Sequence, residues 1–201
     1  YSMGEAHLGG SFSMIEINIY VFYVLLKKSD KFILSKSHAS IPYLLILHDL
    51  KYKPKFKTHL EIDKKNNIFC TTGSLGHGLP ISIGYALANK IKNKKNKVFV
   101  LISDGECQEG TTWESLLIAN KFKLNNLIIL VDYNKIQALT SLNDGLPLDN
   151  LIKKFNAFNI DTINIKNGHS FTEMKKKIKL NNLKKTTAII FNTIKGKGVK
   201  S

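Results

Sequence analysis

Apolar and polar positions alternate along this chain in two distinct rhythms. Runs at 98–102, 127–131 and 187–192 are almost continuously apolar and read as buried strands, with two further strands at 32–34 and 160–165. Between them lie helical stretches at 14–27, 41–50, 76–91, 112–122, 148–158 and 171–178. In the third of these, Leu79, Ile83, Leu87 and Ile91 share one face. Ser13 and Glu16 have the spacing of a capping box, which predicts that the first helix begins at Met14 despite its β-branched and aromatic content. Residues 51–67 are basic, contain Pro54 and lack periodicity, as expected of a surface loop.

Strands alternating with helices of ten or more residues imply right-handed crossovers. The expected fold is therefore α/β: a mostly parallel sheet with helices on both faces. No internal repeat or domain boundary interrupts residues 1–201, and a composition 43% hydrophobic and 22% charged suits one globular domain. The chain opens on Tyr1 and closes on "KGKGVKS", so both ends look trimmed from a longer protein.

The formal net charge of +15 raises the question of nucleic-acid binding. All 30 basic residues are lysine, however, and they are scattered among asparagines as the codon bias of an AT-rich genome produces. Arginine, the commonest reader of guanine, is missing, so no nucleic-acid partner is expected. The positive field suits phosphorylated metabolites instead. Cys70 and Cys107 are too few and too far apart for a disulfide framework or a zinc site, and a reducing cytoplasm is the expected setting. The most hydrophobic stretch, 15–26, is broken by Glu16 and Asn18, so no membrane span is expected.

Two predicted strands end in unusual polar groups, "LISDGE" and "ILVDYNKIQ". Ligands of open α/β sheets bind beyond the carboxyl ends of the strands. Asp104 and Asn134 lie 30 residues apart, about one crossover, which places them side by side at that edge. A carboxylate, a carboxamide oxygen and nearby carbonyls are hard donors suited to Mg²⁺ or Ca²⁺. Gly105 lets a backbone N–H approach a phosphate, and a helix starting near Thr112 adds partial positive charge. Either motif alone is equally an ordinary strand-end turn, since Asp-Gly is a common turn dipeptide. The pair at crossover spacing favours a metal-bridged diphosphate site.

"SDGECQEGTTWE" followed by "DYNKIQ" resembles the thiamine-diphosphate motif in its transketolase form. "EAHLGGSFSMIE", "KFILSKSHAS", "TTGSLGHGLPISIGYALA", "NGHSFTEM" and "NTIKGKGV" resemble further transketolase segments in the family's order. The likeness covers nearly the whole chain. It implies the N-terminal, diphosphate-binding domain of a transketolase, or the corresponding subunit of one encoded in two pieces. Thiamine diphosphate and Mg²⁺ (or Ca²⁺) are the implied cofactors.

The resemblance implies roles residue by residue. Asp104 and Asn134 hold the metal through side chains and Ile136 through its carbonyl, with Asn134 and Gly105 also at the diphosphate. His38 donates to the diphosphate. His7 lines the substrate channel and assists proton transfer, and His59 stands near the place of a histidine that binds donor hydroxyls. Gly73 and Leu75 meet the aminopyrimidine through their backbone. Glu109 sits at a subunit contact that couples two cofactor sites. Ser103 and Ser37 stand where the family has glycine, His77 where it more often has glutamine, and the segment between His38 and His59 is short. Glu106 is expected only to face solvent. His48 and His169 are expected in surface or turn roles, and Trp113 in the core.

The implied activity is transfer of a two-carbon ketol unit from a ketose phosphate to an aldose, in a homodimer or heterotetramer. A pyrimidine-binding domain or subunit must complete the site, so the chain alone should catalyse nothing. Rival readings are a deoxyxylulose-phosphate synthase, a 2-oxoacid dehydrogenase component, or a non-catalytic scaffold of the same fold.

Overall fold

The computed structural model describes residues 7–137, 140–181 and 183–199. Its helices are α1 (Leu8–Ser13), α2 (Ile15–Tyr20), α3 (Ile41–Asp49), α4 (Gly78–Ile91), α5 (Gly110–Lys121), α6 (Leu151–Ala157) and α7 (Phe171–Lys177). Five strands, β1 (Lys31–Leu34), β2 (Val98–Ser103), β3 (Leu127–Tyr133), β4 (Asp161–Ile165) and β5 (Thr187–Asn192), form one sheet in the order β1-β2-β3-β5-β4. Every pairing is parallel. Residues 98–102 and 127–131 are fully buried, because a central parallel strand is covered on both faces.

Period-two alternation sends successive side chains to opposite faces. Phe99, Leu101, Ile128, Leu130, Ile189 and Phe191 pack with Ile17 of α2, Leu44 of α3 and Met174 of α7. Val98, Val100, Ile102, Ile129, Val131 and Ile190 pack on the other face with Ile83 of α4, Leu116 of α5 and Phe155 of α6. Burying each such side chain contributes roughly 1.5–3 kcal/mol before conformational entropy is counted.

Two sequence expectations change. The first helical region begins at Leu8, not Met14, and ends in a π-helical turn over Val21–Leu25. Ser13 caps nothing: its hydroxyl donates to Asp132 Oδ2 at 2.6 Å, and that long-range bond removes it from the predicted capping box. In α4 the apolar stripe stops short of its end, leaving Ile91 72% exposed. The segment 51–67 is irregular as expected, with only a short 3₁₀ turn at Lys64–Asn66.

Candidate functional site

Parallel register places Ser103 of β2 beside Asp132 of β3, so both strands end at the same level. Asp104 and Asn134 then emerge as neighbours. The Asp104 carboxylate accepts the Lys135 N–H at 2.6 Å and the Gly105 N–H at 2.8 Å. Lys135 adopts φ +65°, the sharp turn that aims its N–H back across the strand end. The Asn134 side-chain oxygen accepts the Ile136 N–H at 3.1 Å, an Asx turn that holds the carboxamide at the site.

Beyond these ends opens a cleft of about 440 Å³. His7, His38, Gly73, Leu75, Asp104, Gly105, Glu109, Asn134 and Ile136 all line it, so nine of the ten predicted residues meet there. His59 is not part of this lining; it packs behind Gly73, where an added Cβ would come within 3.0 Å of its ring. His77 is exposed and turns its Nδ1 to the Leu75 carbonyl.

The cleft's electrostatics follow from burial. Asp104 is 3% exposed, and burial pushes its carboxyl up to about 6 against the pull of the Lys135 and Gly105 N–H bonds. A buried carboxylate beside a carboxamide oxygen and the Ile136 carbonyl is a hard-oxygen set of the kind that suits a divalent cation. Burial, then the charge of Lys36, then His7 and His59, push His38 down to about 4, so its ring is neutral near pH 7. The rings of His7 and His38 meet edge to face at 5.3 Å.

Three residues missed in the sequence complete the site. Lys36, 1% exposed, donates from Nζ to Asp132 and to the Gly10 carbonyl at 3.2 Å, while also lining the cleft. Asp132 is buried as well. Burial pushes its carboxyl up, but the Lys36 ammonium and the hydroxyls of Ser13 and Thr193 outweigh that and hold it below the usual range. Lys195 reaches the same cleft from the segment after β5, donating to the carbonyls of Ile136 at 3.3 Å and Gln137 at 2.7 Å. Among 30 lysines neither Lys36 nor Lys195 carried a distinguishing signal, apart from lying inside quoted motifs.

Glu106 corrects the expectation that it faces solvent. It is fully buried, accepting the Ser103 N–H at 2.9 Å, the Gly76 N–H at 3.1 Å and the Ser35 hydroxyl. Burial pushes its carboxyl up, partly countered by those donors. It ties the turn bearing Asp104 to the loop bearing Gly73 and Leu75. Ser37 adds a bond to the Thr72 carbonyl at 2.6 Å, fastening the same loop over the end of β1. Glu109 precedes α5, and its side chain lies against Gly76 (φ +76°), where a Cβ would leave it no room. His48 is exposed as expected, but His169 is held on two sides, to Glu16 and to the Ile194 N–H. Trp113 packs on Phe155 and Phe158, as expected of a core residue.

Comparison with solved structures shows which class this fold and cleft define. Transketolase from Leishmania mexicana matches with a TM-score of 0.84 over 96% of this chain and 34% of that one, at 21% identity. The fold is the thiamine-diphosphate-binding one. Over residues 2–201 the sequence matches the family described as transketolase, thiamine diphosphate binding domain, and the chain belongs to that family. One subunit of the apulose-4-phosphate transketolase of Actinobacillus succinogenes is 33% identical over 98% of this chain and 79% of its own length. A 6-deoxy-6-sulfo-D-fructose transketolase subunit of Clostridium is 32% identical with the same coverage. Human transketolase is 31% identical, and the chain spans about a third of its length, 34%. Among the described residues no helix is long and apolar enough to cross a membrane.

Proposed function

We propose that this chain binds the diphosphate of thiamine diphosphate through Mg²⁺ or Ca²⁺ and is half of an enzyme that transfers a two-carbon ketol unit between phosphorylated sugars. The supporting observation is the convergence of Asp104, Gly105, Asn134 and Ile136 from two adjacent strand ends into one cleft with His7, His38 and Lys195. Asp104, Asn134 and the Ile136 carbonyl would hold the cation. When bound, the cofactor supplies the electron sink that C–C bond cleavage requires.

The chain's own residues do the rest. Lys195 would offset phosphate charge, and Gly105 puts no side chain between the diphosphate and the backbone beside Asp104. His38, kept neutral by burial, donates a ring N–H to a phosphate oxygen. His7 stands at the cleft's exposed side, where a histidine can pass protons to and from a sugar hydroxyl near neutral pH. His59, behind Gly73, is the candidate for contacting the donor's hydroxyls. Glu109 faces a partner, and the backbone of Gly73 and Leu75 lies against the aminopyrimidine. The family likeness implies that the acid for that ring comes from another domain, so a second polypeptide or domain is expected to carry it. Relatives named as transketolase subunits favour a separate companion chain.

Calorimetry with Mg²⁺ and thiamine diphosphate, with and without the companion polypeptide, tests the reading. Tight cofactor binding and ketol transfer are expected with both chains, whereas this chain alone should hold the diphosphate end more weakly and catalyse nothing. Transfer catalysed by this chain alone, or no cofactor binding by the pair, contradicts it.

A further inference from the structure

The Ile136 and Gln137 carbonyls hold the Lys195 ammonium, and the backbone beneath its stem must be held as well. Gly196 (φ +74°) and Gly198 (φ +93°) follow it, and a Cβ built on either would meet nothing within 4 Å, so neither position packs a side chain. The Ile194 side chain is 58% exposed and adds little packing. A long lysine stem costs rotamer entropy to fix, so a fixed backbone beneath it lowers the cost of placing the ammonium.

One side chain steadies the backbone next to it. His169, in the turn before α7, is 7% exposed. Its Nε2 accepts the Ile194 N–H at 2.9 Å, and its Nδ1 lies 2.9 Å from Glu16 Oε2 on α2. A backbone N–H can only donate and an ionised carboxylate can only accept. The two contacts together therefore select the neutral tautomer protonated on Nδ1. Asn167 secures the turn itself, its side-chain oxygen accepting the His169 N–H at 3.0 Å. The Gly196 N–H then donates to the Gly9 carbonyl at 3.0 Å, and the Lys195 stem lies over Gly9. Thr193, one residue earlier than Ile194, is anchored at the strand end through its N–H to the Tyr133 carbonyl.

We propose that His169, oriented by Glu16, is a positioning residue for the anion site: it latches Ile194 so that the Lys195 ammonium reaches the cleft at the Ile136 and Gln137 carbonyls. The inference rests on the diphosphate reading above. His169 touches no ligand in this scheme and acts through Lys195 alone.

The test is a double-mutant cycle on the full chain with Mg²⁺ and inorganic pyrophosphate, read by calorimetry. Lys195→Ala removes a charge-assisted contact and should weaken pyrophosphate binding about tenfold or more. His169→Ala should weaken it severalfold, and Glu16→Ala, at a partly exposed position where folding tolerates the change, should shift it in the same direction. In the Lys195→Ala background neither should have a further effect beyond about twofold. Amide hydrogen exchange at Ile194 should quicken in His169→Ala and Glu16→Ala without ligand, a change that general destabilisation would not confine to that segment. If His169→Ala does not fold, the Glu16→Ala cycle carries the same comparison. Additive losses with Lys195→Ala, or pyrophosphate binding unchanged in Glu16→Ala and His169→Ala, overturn the latch alone. Failure of the unsubstituted chain to bind Mg²⁺ and pyrophosphate overturns the diphosphate reading, and the latch with it.

Discussion

Ser103 and Glu106 bond to each other in both directions: the Ser103 hydroxyl accepts the Glu106 N–H at 3.3 Å, and the Glu106 carboxylate accepts the Ser103 N–H at 2.9 Å. This is the reciprocal geometry of a capping box, built around the turn that presents Asp104 and Gly105. The glycine usual in this family lacks that hydroxyl. Ser103 is tolerated because its backbone is not among the positive-φ positions. Glu106 then uses its other oxygen to grip Gly76 and Ser35, so one carboxylate joins the two loops on which the proposed site depends.

Removing that carboxylate should be costly. Glu106→Ala leaves the N–H groups of Ser103 and Gly76 and the Ser35 hydroxyl without an acceptor in a dry setting, at about 1–3 kcal/mol for each group left unsatisfied. A total loss of roughly 3–5 kcal/mol is expected from urea unfolding. Ser103→Gly keeps the carboxylate and should cost only about 1 kcal/mol. A Glu106→Ala protein within about 1 kcal/mol of the parent, the error of the method, would show that no clamp exists.

Lys36 and Asp132 form a buried ion pair, exposed by 1% and 0%. Breaking such a pair leaves one charge uncompensated, which costs about 3–5 kcal/mol, whereas removing both is far milder. Lys36→Met and Asp132→Asn should each destabilise the chain strongly, and the double variant should recover much of the loss. Independent, additive effects in unfolding experiments would argue against the pairing.

How much of this was legible in the sequence depends on whether a residue's partners are local. Strands such as 127–131 were readable because full burial on both faces demands an unbroken apolar run. Asp104 and Asn134 were readable because one crossover separates them. The helix start at Ser13 was misread because its hydroxyl reaches Asp132, 119 residues away, and Glu16 turns to His169. Ser103–Glu106 has the same Ser-x-x-Glu spacing and does cap, yet it looked like a solvent-facing turn. Lys36 and Lys195 acquire meaning only when the fold sets them against Asp132 and the carbonyls after β3.

Gly76 allows the loop to close on Glu109. A Cβ there would stand 2.5 Å from Thr111 Oγ1 and 2.7 Å from the Glu109 Cβ, on a backbone that already has φ +76°. Gly76→Ala combines backbone strain with overpacking and should destabilise by about 2–4 kcal/mol. It should also displace Glu109 and weaken association with the companion chain. Gly84, where an added Cβ meets nothing within 4 Å, is the control: Gly84→Ala should stabilise α4 by about 0.5–1 kcal/mol. Equal thermal midpoints for the two variants would refute the packing account.

Two cleft groups make opposite contributions to acid stability. His38 titrates at about 4 when folded against an ordinary 6.5, so between those values the unfolded chain holds a proton that the folded one does not. Stability from this source is full above pH 6.5 and is lost as pH falls towards 4, by at most about 3 kcal/mol. Asp104 is raised from 3.8 to about 6, so over that interval the folded chain holds the extra proton, and lowering pH favours folding. These two contributions should therefore largely cancel between pH 6 and 4. His38→Asn removes only the first contribution, so relative to the parent it should gain stability as pH drops through that window. Asp104→Asn should do the reverse. Denaturant midpoints across pH, with ring proton shifts to locate the His38 titration directly, decide the matter; a His38 midpoint above 6 in the isolated chain would contradict its burial beside Lys36.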